Sequence, residues 1–126
     1  MSSEELHIPR EKLSTEARLL HYAIVSLQEE LDAVDWYRQR ADDSEDDSLK
    51  AILLHNMREE MEHAAMLMEW LRRNNPDFAR TFETYLFTKA PITEVENVAE
   101  KKGGEAPSAG QQRDDLGFTI GPMRGR

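Results

Sequence analysis

The sequence of 126 residues contains no cysteine. Disulfide bonds, thiolate metal sites, iron–sulfur clusters and cysteine nucleophiles are therefore excluded. No apolar run approaches the roughly 20 residues that a membrane-spanning helix requires. The first residues, MSSEE, are acidic and lack the apolar core of a signal peptide. We therefore expect a cytoplasmic protein that has no membrane partner.

Glycine and proline are missing from most of the chain. All six glycines lie at or after Gly103, and neither residue type occurs between Arg10 and Asn75. Glycine and proline interrupt helices, so this distribution indicates a long helical body followed by a flexible, polar stretch. The chain is predicted to divide into a helical body, a flexible linker and a C-terminal segment, at 1–101, 102–115 and 116–126.

Basic residues are outnumbered by acidic ones, 16 against 25, which gives a net charge of -9 and a pI near 4.9. Such a surface repels nucleic acid and attracts cations, so no nucleic-acid partner is expected. The charged share of 33% and the mean hydropathy of -0.72 are unfavourable for a chain that must bury a full core alone. They indicate long solvated helices, or burial that a partner chain completes.

Apolar residues recur at helical spacing along two long segments. The first helix is predicted from about Ser14 to Ala41, with Ser14 or Thr15 as its N-cap. Its apolar stripe consists of Leu20, Ile24, Leu27, Leu31 and Val34. After the acidic turn at 42–47, where Ser44 and Asp47 resemble a capping box, a second helix is predicted over about 45–74. So short a turn makes the two helices an antiparallel hairpin.

Shorter helices are expected after the hairpin. Asn75 and Pro76 are a typical N-cap and first helical residue, so a third helix is predicted over about 76–87. Pro91 opens a weaker helix that runs to about Lys101. The predicted fold class is therefore all-α, a two-helix hairpin plus short C-terminal helices.

Two glutamates occupy positions that the apolar pattern assigns to the core. Glu60 lies within an otherwise apolar stripe of the second helix, which consists of Leu53, Met57, Glu60, Ala64, Leu67 and Leu71. Glu30 lies within a similar stripe of the first helix, which consists of Ala23, Leu27, Glu30, Val34 and Tyr37. His63 lies three residues after Glu60, on the same helix face. Unpaired buried carboxylates are costly, and a metal cation would compensate them. Pairing with arginine or a solvated edge is the alternative, although both stripes lack basic residues at their middles.

The three side chains make half of a known kind of metal site. Carboxylate and imidazole ligands without sulfur suit iron, manganese or zinc. Carboxylate-bridged di-iron and di-manganese proteins take one Glu from each of two helices and a Glu-x-x-His pair from each of two others. This chain has one Glu30 and one Glu60-x-x-His63. A second copy, related by a two-fold axis, would supply the other half.

Five segments support a family resemblance: EELDAVDWY at 29–37, HN at 55–56, EEMEHAA at 59–65, EWLRR at 69–73 and TYLFT at 84–88. Together they resemble the encapsulated ferritin family, the ferritin-like cargo proteins of encapsulin nanocompartments. The match covers roughly residues 14–96. It implies a half ferritin-like fold in which Glu30, Glu60 and His63 are the catalytic ferroxidase ligands. It also implies iron as the cofactor, one pair per two chains, and homodimers assembled into a ring of ten chains.

Further residues take roles from the same resemblance. Glu29 and Asp32 correspond to an acidic pair that captures metal on its way in. The family usually has Glu at the second position, and spacing alone makes this pair a solvated helix face. Trp36 and Tyr37 match aromatic residues beside the site. Tyr37 is expected to hydrogen-bond a ligand carboxylate, and interface packing is the alternative reading for Trp36.

The C-terminal segment, LGFTIGPMRGR, is apolar and follows the linker. Disordered tails rarely carry such residues unless they dock, and this one resembles the targeting peptide of encapsulin cargo. Its expected docking side chains on the inner wall of the shell are Leu116, Phe118, Ile120 and Met123. Pro122 stands where such peptides commonly have a small polar residue. A tail that packs on its own body is the alternative.

The resemblance implies an enzyme that oxidises Fe²⁺ to Fe³⁺ with dioxygen, for iron mineralisation and storage inside an encapsulin shell. A rubrerythrin-like di-iron peroxidase would use the same ligands, but the lack of cysteine removes the usual rubredoxin electron donor. A non-catalytic helical assembly protein, either metal-free or binding zinc or manganese, is the alternative outside the enzymes.

Overall fold

The computed structural model describes residues 5–97, and two long helices dominate them. Helix α1 spans Thr15–Asp43 and helix α2 spans Asp47–Asn74. The two helices contact each other extensively and form the predicted hairpin. At about 1.5 Å per residue each helix is about 40 Å long. Within residues 5–97, no helix combines the length and the apolar character needed to cross a membrane.

Side-chain caps set the helix starts. Ser14 caps α1 as predicted, its hydroxyl accepting from the backbone N–H of Ala17 at 3.0 Å. The capping-box prediction for Ser44 is wrong. Asp46 caps α2 instead, accepting from the N–H of Leu49 at 2.7 Å. Ser44 ends α1, because its own N–H donates to the carbonyl of Arg40.

Helix α3, Pro76–Tyr85, begins as the sequence predicts, since the Asn75 side chain accepts from the N–H of Phe78 at 2.9 Å. It ends two residues earlier than expected. The chain leaves the helix through Phe87, whose φ of 62° is left-handed, a conformation that costs a residue with a Cβ about 1–2 kcal/mol. The hydroxyl of Thr88 donates to the carbonyl of Tyr85 at 2.9 Å and holds this turn.

The predicted helix from Pro91 begins as a 3-10 turn at Ile92–Glu94, and residues 95–97 are helical. In this part of the chain Val95 is buried and the Tyr85 hydroxyl lies 3.5 Å from Glu96 Oε2. The predicted course of this helix to Lys101 extends beyond the described residues. The linker at 102–115 and the segment at 116–126 also lie outside them.

The chain divides into two compact units, the first ending at Ala79 and the second beginning at Arg80. The hairpin's buried apolar side chains are mostly alanines, at positions 23, 41 and 64, together with Leu71. Small side chains let two helices approach closely, but they bury little apolar surface. Fourteen large apolar residues of the described chain are exposed. The single chain therefore leaves many of its large apolar side chains exposed.

Candidate metal site

The three candidate ligands come from the middles of the two long helices. Glu30 lies next to the midpoint of α1, and Glu60 and His63 lie close to the midpoint of α2. The hairpin register brings these midpoints side by side, because both helices have nearly the same length on either side of one short turn. Glu30 therefore meets the Glu60-x-x-His63 pair across the hairpin.

The ligand atoms converge on one point. His63 Nδ1 lies 3.5 Å from Glu30 Oε1 and 3.5 Å from Glu60 Oε1. One donor atom from each of the three residues lies within 4.8 Å of the other two. Among the described residues this is the one group of three or more acidic, histidine or cysteine side chains close enough to hold a metal ion.

The two carboxyl groups also interact directly. A hydrogen bond with Glu30 raises the pKa of Glu60, and partial burial and the neighbouring negative charge raise it further. Two carboxyl groups can hydrogen-bond only by sharing a proton. A divalent cation placed between them would replace that proton and satisfy both carboxylates.

The donor set fits a transition metal. Two carboxylate oxygens and one imidazole nitrogen, with no sulfur, are ligands typical of iron, manganese and zinc. Ca²⁺ and Mg²⁺ prefer sites made of oxygen alone. The side chains are 25% exposed at Glu30, 23% at Glu60 and 42% at His63. The site is therefore open on one side, with three protein ligands where an isolated metal ion needs four or more.

The residues expected around the site are placed as follows. Glu29 and Asp32 are exposed on α1, and Trp36 is 52% exposed. The Tyr37 ring is half-buried, with the guanidinium of Arg40 lying 5.6 Å from its centroid. Within residues 5–97 the Tyr37 hydroxyl makes no hydrogen bond, so in this single chain it does not contact a ligand carboxylate. The four tail residues at 116, 118, 120 and 123 lie outside the described part.

One face of the hairpin, here called the site face, carries exposed aromatic and aliphatic side chains around the ligands. On α1 this face consists of Tyr22, Glu29 and Trp36, which are seven residues apart, and Tyr22 directly precedes buried Ala23. On α2 it consists of Leu49, Asn56, His63 and Trp70, which are also seven residues apart, and His63 directly precedes buried Ala64. Because the two helices are antiparallel and bury facing sides, the residues that directly precede the buried positions point to the same side of the hairpin on both helices. The site face is thus polar in its middle and apolar at both ends, where Tyr22, Trp36, Leu49 and Trp70 are exposed.

A charged cluster that the sequence analysis missed lies near the end of α2. Glu69 accepts hydrogen bonds from Arg72 at 2.7 and 2.8 Å and from Arg73 at 2.7 Å. The hydrogen bond from Arg72 is the largest of the effects that lower the pKa of Glu69 to about 2. The spacing of three and four residues between a Glu and the following arginines was the signal available in the sequence.

We expect Glu69→Gln to destabilise the protein slightly at neutral pH, by less than about 1 kcal/mol, because the carboxylate is solvent-exposed and its attraction is screened. The folded-state pKa lies below the ordinary value of 4.5. The stabilisation is therefore present above about pH 4.5 and lost as the pH falls toward about 2. Thermal unfolding of both proteins across this range measures the difference.

The matched control is Glu11→Gln, which removes an exposed carboxylate that forms no ion pair within residues 5–97. A Glu69 effect that grows as the pH falls, or one that Glu11→Gln reproduces, would contradict the assigned ion pairs.

Comparison with known proteins identifies the family. The EncFtn-like family model matches residues 5–89. The chain is 49% identical over 127 residues to the encapsulated ferritin-like protein of Rhodospirillum rubrum, covering 98% of this chain and 91% of that protein. It is 46% identical over 116 residues to a ferritin-like protein of Thermotoga maritima, covering 92% and 96%.

Two further comparisons agree with this match. The encapsulin nanocompartment cargo protein EncC of Myxococcus xanthus is 31% identical over 121 residues, covering 93% of this chain and 92% of that protein. The crystal structure of protein ne0167 from Nitrosomonas europaea has a TM-score of 0.67 and 54% identity, covering 69% of this chain and 96% of that one. On its sequence and its helical hairpin alike, the chain belongs to the EncFtn-like family.

Proposed function

We propose that the protein is a ferroxidase that oxidises Fe²⁺ with dioxygen at a di-iron site shared between two copies of the chain. The observation that carries the proposal is the convergence of Glu30, Glu60 and His63 on one point at the middle of the hairpin. Relatives named as encapsulated ferritin-like and as encapsulin cargo support iron as the metal.

The number of ligands supports a shared site. One chain offers two carboxylates and one imidazole, and two chains offer four carboxylates and two imidazoles. The doubled set equals the one that four-helix di-iron proteins use. Because the ligands lie at the helix midpoints, a two-fold axis through them lets the second hairpin cover the whole length of the first. Such an axis makes the interface self-complementary.

The site face supports the same pairing. Its exposed side chains Tyr22, Trp36, Leu49 and Trp70 flank the ligands on both sides. Burying apolar area contributes about 25 cal/mol per Å², and covering these residues would also shield the open side of the metal site. The acidic centre opposes the pairing until cations bind, because Glu29, Glu30, Glu59 and Glu60 of both copies would face one another. Metal binding and dimerisation are therefore expected to be coupled.

The chain's own residues favour the oxidised product. When bound, two iron ions supply two electrons, one from each Fe²⁺, and dioxygen accepts both. Anionic carboxylates stabilise Fe³⁺ more than Fe²⁺ because the attraction grows with the charge of the cation. Glu30 and Glu60 are thus expected to lower the reduction potential at the site, while His63 holds the geometry.

The acidic and aromatic neighbours have supporting roles in this proposal. Glu29 and Asp32 are exposed on α1, next to Glu30, and would attract and pass on Fe²⁺. Asp32 is one methylene shorter than the usual Glu, so its carboxylate would reach less far toward a cation. Trp36 would pack against the second copy. Tyr37 would gain a carboxylate partner only in the dimer.

The proposal extends to the protein's surroundings. Relatives named as encapsulated and as nanocompartment cargo support a place inside an encapsulin shell. The dimers would form a ring of ten chains, and residues 116–126 would attach the ring to the shell's inner wall. An open ring has no storage cavity of its own, so the protein would oxidise iron and the shell would hold the mineral.

The test is an anaerobic addition of Fe²⁺ to metal-free protein, followed by air, with ferric absorbance and molecular mass recorded together. We expect rapid oxidation, two irons bound per two chains, and a rise in mass on metal binding. Zn²⁺ in place of Fe²⁺ is the control, which should raise the mass without a ferric signal. Oxidation no faster than in protein-free buffer would exclude a ferroxidase and leave a metal-binding assembly protein.

A further inference from the structure

An uncharged polar side chain lies one helical turn before each of the two candidate ligand carboxylates. Asn56 precedes Glu60 by four residues on α2, and Ser26 precedes Glu30 by four residues on α1. Asn56 and Ser26 are both half-buried, and within residues 5–97 neither side chain makes a hydrogen bond. Each ligand carboxylate thus has a neighbouring hydrogen-bond donor that the contacts of the single chain leave unused.

The direction of helical side chains brings donor and carboxylate together. Long side chains on a helix lean toward its N-terminus, over the residues three and four positions earlier. The site itself shows this lean, since His63 Nδ1 lies 3.5 Å from Oε1 of Glu60, three residues earlier. On α1, Gln39 Nε2 donates to Asp35 Oδ2 at 3.0 Å, so an amide and a carboxylate four residues apart are within reach. A Glu60 side chain that leans in the same way brings its carboxylate to Asn56.

Metal binding and pairing of two copies would change the surroundings of Asn56. In the chain described here Glu60 is hydrogen-bonded to Glu30 across the hairpin. A cation in place of their shared proton would leave both groups anionic, each able to accept further hydrogen bonds. Asn56 belongs to the site face, so a second copy would cover its amide, and a covered amide without a partner is costly. Glu60 is the nearest acceptor, because residues four apart on a helix differ in direction by only about 40°.

We propose that Asn56 is a positioning residue whose amide N–H donates to the Glu60 carboxylate when a metal ion is bound, and that the Ser26 hydroxyl does the same for Glu30. Each hydrogen bond holds one carboxylate oxygen and so directs the other toward the metal. Such bonds to ligand side chains govern both metal affinity and the geometry of the site. The inference rests on the metal site of the proposed function, but it does not depend on the oxidation reaction.

The test titrates metal-free, full-length protein with Co²⁺, whose visible absorption reports both its affinity and the geometry of its ligands. Asn56→Leu keeps the size of the side chain and suits an interface, but it cannot donate. We expect it to bind Co²⁺ about 10–100-fold more weakly and to show an altered absorption at saturation. Its mass at saturating Co²⁺ should equal that of the unaltered protein. Asn56→Gln, which keeps the amide, should recover most of the affinity and of the absorption.

Ser26→Ala should weaken Co²⁺ binding in the same way, and Ser26→Thr, which keeps the hydroxyl, should retain it. The matched control is Gln39→Leu, which removes an exposed amide that bonds Asp35 and should bind Co²⁺ normally. Unchanged affinity and absorption in Asn56→Leu, or an equal loss in Gln39→Leu, would overturn the positioning role and leave the metal site standing. So would an Asn56→Gln protein that binds no better than Asn56→Leu. An unaltered protein that binds no Co²⁺ would overturn the site and this role together.

Discussion

Glu30→Ala, Glu60→Ala and His63→Ala are each expected to lower the initial rate of Fe²⁺ oxidation by about 100-fold or more. Groups that merely hydrogen-bond to metal ligands are worth 10–100-fold in affinity or activity, and these three residues are the proposed ligands themselves. In the proposed shared site each substitution also removes two ligands, one from each copy. The measurement is ferric absorbance after stopped-flow mixing with aerated Fe²⁺.

The matched control is Glu62→Ala, which removes an exposed carboxylate from the same helix, two residues after Glu60. It should oxidise iron at nearly the unaltered rate. Glu60→Gln separates charge from size, because it keeps the shape but loses the anionic ligand, and it should fail as Ala does. Helical content measured by circular dichroism shows whether the hairpin survives. A well-folded Glu60→Gln protein with full activity would refute the site.

Deleting residues 116–126 is expected to abolish packaging into the shell and to leave iron oxidation unchanged. The proposed ligands all lie in the hairpin, and the deleted segment contains the four side chains that are proposed to dock. The measurement is co-expression with the encapsulin shell protein, followed by purification of intact shells and quantification of the cargo inside. Iron oxidation by the free truncated protein is assayed in parallel.

A length-preserving variant makes this test specific. Replacing Phe118 and Ile120 with serine keeps the tail but removes two apolar anchors, and it should also lose packaging. Gln111→Ala and Gln112→Ala in the linker are the matched controls and should package normally. Full packaging of the truncated protein would refute the targeting role. Loss of oxidation on truncation would indicate that the tail packs on its own body.

The hairpin itself was predictable because its signals are local. Helix spacing, the absence of glycine and proline between Arg10 and Asn75, and short polar side chains at the helix starts each act within a few residues. Ser14 and Asn75 cap as predicted for that reason. The cap at the acidic turn was not predictable from spacing. Ser44 and Asp46 are both good capping residues, and only the path of the chain between the helices selects Asp46.

The end of α3 shows the same limit. Tyr85, Leu86 and Phe87 read as a continuation of the helix, since each has an acceptable helical propensity and no glycine marks the stop. The left-handed conformation at Phe87 is not favoured by its side chain. The Thr88 hydroxyl, which donates to the carbonyl of Tyr85, accompanies it. Local propensity was overridden here by the arrangement of the chain.

By itself, the sequence determined the helical class, the hairpin, and the choice of Glu30, Glu60 and His63 as candidate ligands. Those features follow from periodicity and from charged residues that interrupt an apolar stripe. Only the tertiary structure decided that the three donors converge within 4.8 Å, that the site is open on one side, and that the site face is apolar at both ends. These features depend on the register of the two helices and on the directions in which their side chains point. The alanines buried along the hairpin and the short turn between the helices set both.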